Sequence, residues 1–371
     1  MSLNDHKRAL GDCTYCPKLC RFCCPTAQVE HRETVTPWAK MSLSEMVRTG
    51  RLEVDNEIGE VFYHCFACLH CRTHCRHEND VPGALIEARR EVLAAGSEPE
   101  AVSAVIGRFS DTGNAWGEDL SGRLKDLIAA DYFVPEAQAA LFTGCDTIRQ
   151  DPNPLADLFE LCQELGVDYL AAHGGEQVCC GIPLWQAGDV DGFIEHATVM
   201  ARELARYRKI VCTCPTCAYA FRVLYPQYDV QFGPEVVHLT EFLEPLLAEH
   251  EPRAKVSGKY TYHDPCYLAR FLEDTEGPRR ILGMVLEEPL AEIVWSGNDT
   301  QCCGGGGLVP HVLPEVASAA ADLRVQQLAA SGAGSIITAC PGCFRQLSGA
   351  QQDMSVVDLV EIVARAYLDR G

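Results

Sequence analysis

Three segments decide the fold: residues 263–270, HDPCYLAR; residues 301–310, QCCGGGGLVP; and residues 339–347, ACPGCFRQL. They set out a quintet of thiols, Cys266, the adjacent pair Cys302 and Cys303, and Cys340 with Cys343. Thirty-five residues lie between Cys266 and Cys302, and thirty-six between Cys303 and Cys340. The same grammar stands upstream in GCDTIR (Cys145), VCCGIPLWQAGD (Cys179, Cys180) and CTCPTCAYAF (Cys214, Cys217), where both intervals are thirty-three residues. Two such quintets in one chain are an internal duplication. Thiolates favour soft metals, and five converging from three loops suit an iron–sulfur cluster better than a single ion.

Around each cysteine the chain alternates short apolar runs with helical periodicity. In residues 138–252, AALFTG predicts a buried strand that delivers Cys145 at its C-terminal end. LADLFELCQELGV predicts a helix, DYLAA a strand, DGFIEHATVMARELARY a longer helix and KIVCT a third strand. Residues 256–371 repeat the scheme: KYTYHDPC parallels AALFTGC, and SIITACPGC parallels KIVCTCPTC. Equivalent cysteines are offset by 121, 123 and 126 residues. Strands alternating with helices give an α/β fold with parallel sheets, whose sites lie beyond the strand C-termini. Cys162, on a helix, reads as a core thiol, and Cys212, inside a strand, is left out of the ligand set.

Residues 1–95 hold a second kind of pattern. Cys65, Cys68, Cys71 and Cys75 in CFACLHCRTHC have the spacing of the bacterial ferredoxin run, with Arg76 where its proline would stand. CTYCPKLCRFCCP supplies Cys13, Cys16, Cys20 and Cys24 before Pro25, one residue longer between its second and third ligands. In two-cluster ferredoxins the fourth cysteine of each run serves the other cluster. One cubane is therefore assigned to Cys13, Cys16, Cys20 and Cys75, and the other to Cys65, Cys68, Cys71 and Cys24. Cys23 is the alternative to Cys24, but the adjacent Pro25 favours Cys24. Lys18, Arg21, Arg72 and Arg76 crowd these cysteines and would raise the potential of a nearby cluster. His70, His74 and His77 read as surface or supporting residues, not ligands. Between the runs, Ser42 and Glu45 predict a capping box that opens a short helix, and residues 96–137 read as a helical connector.

Composition narrows the function classes. The chain has 371 residues and a net charge of −21, which argues against nucleic acid and against docking on anionic lipid. No apolar run spans a bilayer, and no secretory signal opens the chain, so the expectation is a cytoplasmic protein. Twenty-one cysteines in CxxC and CC groupings then point to metal, not disulfides. Gly304 to Gly307 lack the GK[ST] of a P-loop and read as room for backbone to pass close to a cluster. No GxGxxG follows a strand, so neither flavin nor NAD is expected on this chain.

These residues resemble the cysteine-rich, CCG-domain family of the B-type and D-type subunits of heterodisulfide reductase. The C-type subunit of anaerobic glycerol-3-phosphate dehydrogenase and the iron–sulfur subunits of glycolate and lactate oxidases are its relatives. The resemblance covers nearly the whole chain and rests on C…CCG…CPxC occurring twice. It implies two non-cubane [4Fe–4S] clusters, one on Cys145, Cys179, Cys180, Cys214 and Cys217, the other on Cys266, Cys302, Cys303, Cys340 and Cys343. The first CCG continues as IPLWQAGD where more glycine would be usual, which narrows access to its cluster. The implied role is electron transfer within a multi-subunit oxidoreductase. The donor side would be a flavoprotein dehydrogenase, an electron-transfer flavoprotein or a partner of heterodisulfide reductase type, and the acceptor a quinone or disulfide. Such a protein would meet the membrane only through its partners. The alternative is a catalytic role in cleaving a disulfide, for which His263 and Arg270, flanking Cys266, are the candidate catalytic residues.

Overall fold

The computed structural model describes residues 1–134, 137–351 and 354–368. Among the described residues, seven strands form two parallel sheets. In the first, β1 (Ala139–Phe142) lies between β2 (Leu170–Ala172) and β3 (Lys209–Cys212), and β4 (Glu235–His238) closes the far edge of β3. In the second, β5 (Tyr260–Tyr262), β6 (Ser335–Thr338) and β7 (Ser355–Asp358) repeat the order β1-β3-β4. The inner strands are largely apolar, with Ile210, Val211, Ile336 and Ile337 fully buried, because helices cover both faces, as parallel sheets require. Among the described residues no strand flanks β5 as β2 flanks β1. The segment after Pro289 only touches that edge, where Ala291 N–H donates to Tyr260 O at 2.8 Å.

The two halves pack reciprocally. The helix after the first cysteine of one half (Leu155–Glu164) meets the last helix of the other (Leu359–Tyr367), and Gly277–Val285 meets Leu239–Ala248 in the same way. A shared core runs through this joint, with Leu158, Phe159, Leu243, Ile281, Leu282, Ile362 and Val363 buried together. Self-complementary pairing of equivalent surfaces is the signature of a two-fold relation, here within one chain. Cys162 lies in that core, where burial alone pushes its thiol up to about 12.

The first ninety-five residues form helices around their own core of Leu10, Phe62, Tyr63, Leu85 and Val92. Val81–Ala95 ends at Gly96, whose φ of 64° closes the helix in the left-handed conformation. The expected capping box at Ser42 and Glu45 is not formed. The helix there spans Pro37–Arg48 and starts at Thr36, whose side chain accepts from Ala39 N–H at 3.2 Å, with Pro37 in the first turn. Thr-Pro is the stronger start signal, so Ser42 falls mid-helix and Glu45 pairs with Arg48 at 2.7 Å. No helix among the described residues is long and apolar enough to cross a membrane.

Arg89 bolts this segment to both halves. Its buried guanidinium donates to Phe62 O (3.0 Å), Cys65 O (3.2 Å), Gln186 O (2.6 Å) and Gly307 O (3.1 Å). A buried cation is tolerated only when its donors are satisfied, and here four carbonyls do so.

Candidate metal centre

Each quintet is assembled at strand C-termini. Gly144–Arg149 follows β1 and carries Cys145, while β3 and β6 end just before Cys214 and Cys340 at the starts of Pro215–Tyr219 and Pro341–Ser348. The adjacent pairs come from loops, and Gly181 (φ 85°) turns the chain directly after Cys180. Within the second quintet Cys303 Sγ and Cys343 Sγ stand 3.3 Å apart, and the Cys302 thiol contacts those of Cys266 and Cys303. In the first quintet Cys180 contacts Cys179 and Cys217.

The two quintets share one cavity. All ten of their cysteines line a cavity of about 110 Å³, and Cys214 contacts Cys340 across the boundary between the halves. Trp116, Asp146, His311 and Arg345 line the same space. Arg345 Nε pairs with Asp146 Oδ1 at 3.2 Å, and the guanidinium groups of Arg149 and Arg345 lie 3.8 and 4.7 Å from the Trp116 ring centre.

The remaining cysteines gather in two further cavities. One of about 20 Å³ is lined by Cys24, Cys65, Cys68 and Cys71 beside Lys40; the other, of about 230 Å³, by Cys13, Cys16, Cys20 and Cys75, with Cys71 in the wall. Cys23 lines neither. Its thiol donates to Cys20 O at 3.2 Å and His70 O at 3.6 Å. Asn79 Nδ2 donates to Cys13 Sγ at 3.2 Å, and Thr26 Oγ1 lies 3.1 Å from Cys24 Sγ. Cys68 reaches out of its own group. Its thiol contacts Cys302, which with Arg270 nearby holds it down at about 6 against the opposing effect of burial.

All twenty-one cysteines are free. Burial pushes Cys13 up to about 11 and Cys20 up to about 12, so these thiols bind protons firmly until a cation takes their place. Grouped, buried sulfurs with no disulfide among them fit soft metal, and iron–sulfur clusters in particular.

The two candidate catalytic residues are held by their surroundings. Arg324 Nε donates to His263 Nδ1 at 3.0 Å, which leaves the proton on Nε2; the imidazole contacts the Cys303 thiol, and Cys343 lies close by. Burial first, and Arg324 with it, lowers the pKa of His263 and keeps the ring neutral. Arg270 Nε donates to Cys68 O at 2.7 Å, and its Nη1 to Asn298 O and Thr300 O at 3.0 and 2.8 Å. It clasps the N-terminal segment onto the loop before Cys302. Arg89 and Arg324 escaped the sequence reading. Each sits in an ordinary amphipathic pattern, and only the fold brings carbonyls or a histidine to it.

Residues 139–222 and 260–348 each match the model of the cysteine-rich domain, CCG. The chain is 28% identical to the B-type subunit of the fumarate reductase (CoM/CoB) of Methanothermobacter marburgensis, over 94% of this chain and 71% of that protein. It is 27% identical to the D-type subunit of the dihydromethanophenazine:CoB–CoM heterodisulfide reductase of Methanosarcina mazei, over 96% of this chain and 94% of that protein. The EtfAB:quinone oxidoreductase of Syntrophomonas wolfei matches at 26% identity over 83% of this chain and 46% of its own length. The chain thus carries two copies of the CCG cysteine-rich domain and is similar in extent to the D-type subunits of heterodisulfide reductase.

Proposed function

We propose that the chain is the iron–sulfur electron-transfer component of a larger oxidoreductase, with two cubane and two non-cubane [4Fe–4S] clusters on the four cysteine groups named above. Bound there, such clusters supply one-electron chemistry at low potential. The observation that carries the proposal is that both quintets face one cavity while Cys68, from a cubane group, contacts Cys302, from a quintet. That chain of contacts gives electrons a short route from the N-terminal segment to the cavity. Hydride chemistry would belong to a partner, whether a flavoprotein dehydrogenase, an electron-transfer flavoprotein or a protein of heterodisulfide reductase type. Relatives named as subunits of heterodisulfide reductase and as an EtfAB:quinone oxidoreductase support a partnered role.

Anaerobically purified protein is expected to carry about sixteen irons, from four clusters of four. It should accept electrons from dithionite or reduced viologens and not oxidise NADH. Iron near eight per chain, with cubane spectra alone, removes the non-cubane assignment. A second reading, disulfide cleavage, is favoured by the open space between the quintets beside Trp116, His311 and Arg345. Viologen-dependent reduction of an anionic disulfide by the chain alone would establish it.

A further inference from the structure

Outside the cysteine groups, three side chains converge where the N-terminal segment meets the second half. His70 opens the short helix His70–Thr73 and His74 follows it; their Nε2 atoms stand 3.3 Å apart. Asp299, in the turn Gly297–Asp299, brings Oδ1 to 3.3 Å from His74 Nε2 and 3.9 Å from His70 Nε2. A tetrahedral ion with bonds of about 2.1 Å to nitrogen and oxygen sets its ligand atoms roughly 3.4 Å apart, and the three separations bracket that value. Hydrogen bonding accounts for less. A proton on His74 Nε2 directed at Asp299 turns its back on His70 Nε2, and one directed at His70 leaves the carboxylate without a donor.

The surroundings also suit an ion. His70 is fully buried, so the site is closed to solvent on that side. The Trp295 ring stands edge-on to His70, with centres 5.9 Å apart, and Phe22 edge-on to His74 at 4.8 Å, so aromatic rings wall the imidazoles. The Asp299 side chain is half exposed, which leaves a fourth position toward solvent. Two imidazoles and one carboxylate suit a borderline dication; calcium asks for six or more oxygens.

We propose that His70, His74 and Asp299 bind one zinc-class divalent ion that pins the cysteine-bearing segment to the turn leading to Cys302. The ion fixes the joint that Arg270 also clasps, and with it the approach of Cys68 to Cys302. The test uses the anaerobically purified full chain, stripped of loose metal by a mild chelator and titrated with Zn²⁺ while iron and zinc are measured together. One zinc beyond the iron complement is expected, with affinity at least tenfold lower in Asp299→Asn and in His74→Ala. Zinc uptake that is absent, or equal in the wild type and both variants, overturns the proposal. Because a variant beside Cys75 can also lose iron, X-ray absorption at the zinc edge of the wild type supplies an independent reading. Nitrogen and oxygen neighbours near 2.0–2.1 Å are expected, and sulfur at about 2.3 Å places the zinc among cysteines and overturns it.

Discussion

Cys23 and Cys24 are neighbours in sequence with opposite surroundings. The Cys23 thiol is spent on two backbone carbonyls, whereas Cys24 lines the cavity of Cys65, Cys68 and Cys71. Cys23→Ser should therefore keep the full iron content and the cubane EPR signals, while Cys24→Ser loses or converts one cubane; the reverse result shifts the ligand register by one. His263 invites a second test. Its Nε2–H faces Cys303, and donors to cluster sulfurs raise the potential. His263→Leu should lower the potential of the cluster on the second quintet in an anaerobic redox titration. It also leaves Arg324 short of a buried acceptor, at a cost of about 1–3 kcal/mol. His263→Asn retains a donor and should move the potential less. A potential unchanged in both, with only the melting temperature lowered, means that His263 merely supports Arg324.

At the scale of elements, the glycine run after Cys303 serves a close approach between chain segments. A Cβ on Gly307, where φ is 65°, would lie 1.9 Å from Cys65 O, and one on Gly306 would lie 2.4 Å from Phe66 O. The N-terminal segment presses its backbone onto this turn directly before Cys68. Gly307→Ala should cost about 2–4 kcal/mol from overpacking and left-handed strain, and reduce the iron bound by the Cys65–Cys75 run. Gly107→Ala, with nothing within 4 Å of the new methyl, is the control that should lose neither. The sheets and their helices were legible in the sequence because apolar runs and periodicity are local, and the duplication made each half a check on the other. The quintets were legible for the same reason, since their spacing is a property of the chain. The Ser42 capping box failed against the stronger Thr36-Pro37 start. The bolts formed by Arg89, Arg270 and Arg324 were hidden because each joins residues far apart in the chain. Arg89 and Gly307, for instance, are 218 positions apart.

Across the whole molecule, the cavity exists only because the two halves close on each other, so whatever loosens their joint loosens the site. Among the polar contacts across that joint, Gln150, from the first half, donates Nε2–H to Asp358 Oδ2 at 2.9 Å. Asp358 also caps its helix by accepting from Val360 N–H at 2.9 Å. Burial outweighs both bonds and pushes the carboxyl up to about 6 from 3.8. A carboxyl whose folded pKa is raised binds more protons in the folded state than in the unfolded one, so stability falls as pH climbs from about 4 to about 6 and stays reduced above. The penalty at neutral pH is on the order of 2–3 kcal/mol. Asp358→Asn removes the charge and keeps the cap, and the buried Gln150 Oε1, which has no partner, can turn to accept from the new amide. The variant should melt a few degrees above the wild type near pH 8 with unchanged iron content, and the gap should narrow near pH 5, where the wild-type carboxyl is largely protonated. A variant that melts lower at pH 8, or a gap independent of pH, shows that Asp358 is charged at no cost and that the joint is not the weak point of the fold.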